Sequence, residues 1–69
     1  MKTFLKIVTV ECAGLSATCY TADTKENLEK AVVEFKAWNE PNSWLGIYRV
    51  RKGFHKCKVI ETLVIMENE

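Results

Sequence analysis

An α+β fold is what this chain predicts: one small domain spanning residues 1–69, in the order β-β-α-β-β, with one helix packed on one face of a largely antiparallel four-stranded sheet. Three observations carry that reading. β-branched and aromatic residues dominate residues 2–21 and again 44–66, with the period-two alternation of strands. A stripe of apolar residues at helical spacing lies between those two runs. Finally, 69 residues with 48% hydrophobic and 28% charged side chains suffice for one modest core and leave no room for a second.

The first run breaks at Ala13-Gly14, which marks a hairpin turn. With those two residues as the connection, Cys12 faces Leu15, Val10 faces Ala17 and Val8 faces Cys19 on one side. Glu11 with Ser16, Thr9 with Thr18 and Ile7 with Tyr20 take the other. Should residues 13–22 be loop instead, the fold reduces to a three-stranded β-α-β-β domain. The helix that follows starts at Asp23 as cap, with Glu26 three residues on completing a capping-box pattern. Leu28, Ala31, Val32, Phe35 and Trp38 form its buried stripe, and residues 39–43 stop it because Pro41 disfavours helical geometry at Glu40.

A second hairpin turns around Lys52-Gly53, pairing Val50 with His55 and Arg49 with Lys56; a four-residue loop keeps the same sides. On this register the helix-facing side gathers Val8, Val10, Cys12, Ala17, Cys19, Tyr48, Val50, Cys57, Val59, Leu63 and Ile65. One helix shields one side of a sheet. The side expected to be left open carries Leu5, Ile7, Leu45, Ile47, Ile60 and Val64, a contiguous apolar strip of the kind that marks a dimer or partner interface.

Charge is uneven. Residues 1–43 hold five Lys against six Asp or Glu, net −1, and residues 44–69 hold five Lys or Arg against three Glu, net +2. All five cations of the second half lie within residues 49–58. Arg49, Arg51, Lys56 and Lys58 share the open side with Phe54, so cations and an aromatic ring stand together as nucleic-acid or acidic-protein contacts do. A pI near 7.7 lacks the strong basic balance of a dedicated nucleic-acid binder. Trp38 and Trp44 bracket the Pro41 loop as core closure or, if exposed, as partner anchors.

Cys12, Cys19, Cys57 and His55 nominally supply a zinc site. The hairpin register nevertheless holds Cys12 and Cys19 roughly 13 Å apart at strand rise, too far for one ion. An odd number of scattered cysteines points to reduced thiols and a cytoplasmic address. Charge at Lys2 and Lys6 interrupts any signal-peptide pattern, and no apolar run reaches membrane length. His55 has no orienting carboxylate, since Glu61 is about 20 Å along the strand. The expectation is therefore a non-enzymatic protein without metal or cofactor. It is a homodimer that binds and modulates a larger protein partner, in the manner of a phage or mobile-element inhibitor of a host protein. The alternative is a nucleic-acid-binding module using the basic hairpin 49–58.

Overall fold

Hydrogen-bonded register decides which side chains share a face. In the computed structural model, which describes residues 2–11, 13–53 and 56–68, the chain forms β1 (Thr3–Val10), β2 (Ser16–Ala22), α1 (Lys25–Trp38), β3 (Trp44–Lys52) and β4 (Cys57–Glu67). The strands build one four-stranded antiparallel sheet in the order β2-β1-β3-β4. Two hairpins thus lie side by side, joined at the centre by β1 and β3, with the helix in the connection between them.

The first turn is one residue longer than the Ala13-Gly14 expectation. Gly14 adopts φ +86°, its N–H donates to the Glu11 carbonyl at 2.9 Å, and the Glu11 N–H donates to the Leu15 carbonyl at 2.9 Å. This is a turn closed by a left-handed glycine, which adds one residue to the loop. The slip pairs Val10 with Ser16, Val8 with Thr18 and Ile7 with Cys19. Because side chains alternate, a shift of one residue exchanges the face of one strand relative to its neighbour.

The helix begins at Thr24 rather than Asp23. Thr24 is extended at φ −127° and ψ 151°, and its hydroxyl accepts from the Asn27 N–H at 3.1 Å, satisfying one of the free donors of the first turn. At the other end Asn39 takes a left-handed conformation at φ 48°, its N–H donating to the Phe35 carbonyl. The exit loop is then stitched to the end of β4. Asn68 donates from its backbone to the Ser43 carbonyl and from its side chain to the Ser43 hydroxyl, while the Ser43 hydroxyl donates to the Glu40 carbonyl at 2.6 Å. Ser43 is wholly buried, and these bonds satisfy it.

Helix and sheet meet on the side that the alternation assigned to solvent. The core beneath the helix is Leu5, Phe35, Leu45 and Ile47, each 3% exposed or less, with Ile7, Leu28, Ala31, Val32, Leu63, Val64 and Met66 packed against it; Val50, 1% exposed, is buried outside this cluster. Burying each of the four central side chains contributes about 1.5–3 kcal/mol. The expected helix-facing set is corrected accordingly: Val8, Val10, Tyr48, Val50, Cys57, Val59 and Ile65 lie on the far side, paired in rows away from α1. Leu63 packs on the core as expected, while Ala17 and Cys19 share the helix side of the sheet but stay exposed on β2. Two register shifts in β4, between the partners of Ile47 and Tyr48 and of Arg49 and Val50, let both Leu63 and Val64 pack on the core.

Candidate functional site

The strip expected as an interface is the core itself. Leu5, Leu45 and Ile47 are closed off beneath the helix, Ile7 and Val64 pack against them, and Ile60, at 48% exposed, is the member that reaches solvent. The dimer or partner surface expected there is thus corrected, because the helix had one of two apolar faces to choose and took this one.

The basic end divides as well. Arg49 lies on the helix side, opposite Leu5 and Glu61 rather than Lys56. Its Nε donates to Asp23 Oδ2 at 2.7 Å, and Nη1 donates to Glu61 Oε1. Asp23 also accepts from the Thr3 hydroxyl at 2.6 Å. The Arg49 guanidinium, helped by Thr3, holds the Asp23 carboxyl below its ordinary range, and Asp23 in turn raises the arginine. Arg49 is therefore a tie between the start of α1 and the sheet, with its charge already met. Arg51 and Lys58 are exposed and opposite one another across β3 and β4, and Lys56 is exposed beyond them. Phe54, like Cys12 and His55, lies outside the described residues. Cys19 and Cys57 sit on opposite edge strands, which parts two of the nominal zinc ligands. Among the described residues no cluster of three His, Cys, Asp or Glu is placed to hold a metal.

The open face is the other side of the sheet, where four rows cross the strands. Ala22, Phe4, Val50 and Val59 form the first; Tyr20, Lys6, Tyr48 and Thr62 the second; Thr18, Val8, Gly46 and Ile65 the third; Ser16, Val10, Trp44 and Glu67 the last. Val50 is buried beneath its neighbours, Phe4, Val8, Val10, Trp44 and Tyr48 are half-buried, and Tyr20, Val59 and Ile65 are about half exposed at 54%, 46% and 53%. Trp44 and Tyr48 close over Gly46. A Cβ there would stand 2.6 Å from the Trp44 ring and 2.7 Å from the Tyr48 hydroxyl, so glycine is what lets the two rings lie flat along the strand. Lys6 stands mid-sheet between Tyr20 and Tyr48. Glu67 ends the last row and Lys52 lies beyond the first, at opposite ends of β3 and β4.

Trp38 belongs to neither face. It is 45% exposed, packs edge-on against Phe35 at 6.3 Å and borders a groove of about 400 Å³ with Ala17, Cys19, Ile7 and Thr9. The groove exists because one helix, about 10 Å across, cannot span all four strands at their ~4.8 Å spacing. Packed over β1, β3 and β4, α1 leaves β2 uncovered. Comparison with protein-family models, with curated proteins and with solved structures finds no match to this chain. No helix among the described residues is long and apolar enough to cross a membrane.

Proposed function

We propose that this chain is a non-enzymatic protein-binding module that seats its open sheet face on a larger protein and modulates it by occupying that surface. The observation that supports the reading is the composition of the face: aromatic and β-branched side chains in four rows, with one lysine in the middle. Large amphipathic rings with apolar neighbours are the residues that anchor protein interfaces. The central Lys6 selects the partner's chemistry. An apolar patch carrying a carboxylate near its centre satisfies both, whereas stacking two copies of this face about their centres brings one Lys6 toward the other. The nucleic-acid alternative has lost its middle cation, because Arg49 is already bonded to Asp23 and Glu61.

The test is affinity capture from a lysate of the source organism after nuclease treatment, using the parent chain, Val8→Glu and Lys6→Glu, with far-UV circular dichroism to verify folding. A protein retained at moderate salt by the parent, lost with Val8→Glu and weakened with Lys6→Glu is the expected result. Capture that both variants leave intact, or recovery of nucleic acid alone, sinks the reading.

A further inference from the structure

The two edges of the sheet are built differently. β4 carries Lys58, Glu61 and Glu67 and two register shifts, devices that keep a strand edge from pairing with another chain. β2 has none of them. Its seven residues, Ser16–Ala22, include no charge, glycine or proline, pair with β1 without a shift, and are all exposed except Thr21. A bare and uncharged edge of this kind is a template for another strand.

We infer that β2 pairs antiparallel with β2 of a second copy, about a two-fold axis at Cys19, so that two four-stranded sheets become one continuous sheet. The hydrogen-bond phase allows it. Counting from the bond between the Glu11 N–H and the Leu15 carbonyl, alternation turns Ala17, Cys19 and Thr21 inward to β1 and turns the backbone groups of Thr18 and Tyr20 outward. Cys19 is the midpoint of the strand, so a full-length pairing places it opposite itself, with Thr18 and Tyr20 exchanging both bonds with their counterparts. Small residues then oppose larger ones, Thr18 against Tyr20 and Ala17 against Thr21. The Ala22 carbonyl, already accepting from Thr24 and Asn27, ends the ladder.

Charge favours a second copy as the occupant. With no charged side chain on β2, self-pairing sets no like charges against each other, and the defended β4 strands become both outer edges. The assembly therefore closes at two copies instead of growing into a fibre.

Light scattering of the reduced protein up to millimolar concentration is expected to give twice the 7.9 kDa chain mass. Cys19→Lys, which puts like charges directly opposite, is expected to return the single-chain mass, and Thr62→Lys on β4 to leave the doubled mass unchanged. A non-hydrogen-bonded antiparallel pair holds its Cα atoms about 4.5 Å apart, inside the range a disulfide spans. Glutathione disulfide is therefore expected to couple the two Cys19 thiols, releasing two glutathione thiols, in a product identified by peptide mass mapping. Single-chain mass at every concentration overturns the proposal, as does a dimer that survives Cys19→Lys in a folded protein or one that cross-links only elsewhere. The proposal stands apart from partner docking, because Val8→Glu is expected to leave the doubled mass intact.

Discussion

Asp23 shows how a residue acquires its role from the other end of the chain. Its carboxylate receives hydrogen bonds from Arg49 and Thr3, and these depress its proton affinity in the native state. A group whose native pKa lies below its unfolded value stabilises the fold above the unfolded value, 3.8 here, and that contribution disappears as pH falls through the native value. The parent is therefore expected to lose melting temperature on acidification through that window. Asp23→Asn is expected to melt lower at neutral pH and to converge on the parent in acid, as followed by circular dichroism from neutral pH to about pH 2. Parallel curves for the two proteins would show that the carboxylate contributes nothing. Gly46 makes the complementary point, since what matters there is the space that Trp44 and Tyr48 occupy over it.

At the scale of elements, the strands, the helix and their order are legible in the sequence because each has its own period and its own stop signal. The helix stripe from Leu28 to Phe35 and the breaker Pro41 suffice to bound α1, and Thr24 in place of Asp23 as cap is a one-residue difference between two good capping residues. Thr24→Ala is expected to cost about 0.5–2 kcal/mol, read as a lower denaturant midpoint with unchanged slope. Which face the helix covers is not legible. Leu5 and Ile7 compete with Val8 and Val10, and Leu45 and Ile47 with Tyr48 and Val50, so both faces are apolar enough to be buried. The left-handed Gly14 and the register shifts of β4 then change parity where simple alternation carries on. That some apolar face must remain open follows from counting one helix against two faces. Its membership does not, nor does the capture of Arg49 by residues as distant along the chain as Asp23.

At the scale of the whole fold the described residues measure 37 × 24 × 15 Å, a slab of one sheet and one helix. Stability rests on a core shared by three strands and α1, while β2 is held by its hydrogen bonds to β1 and by little burial. In the single-chain Cys19→Lys variant β2 is therefore expected to exchange its amide protons faster than β1 and β3, as measured by hydrogen exchange under native conditions. The hairpins are local, but the central pairing of β1 with β3 cannot form until β2 and α1 have been looped out between them. Closing that loop is the entropic obstacle of folding, and the refolding rate reports it. Ile47→Val is expected to cost about 0.5–1.5 kcal/mol, appearing mainly as slower refolding in stopped-flow traces. Before that closure the β1–β2 hairpin has two bare flanks, the outer edge of β2 and the edge of β1 that awaits β3. A newly made chain is thus most exposed to aggregation during the interval in which β3 has yet to arrive.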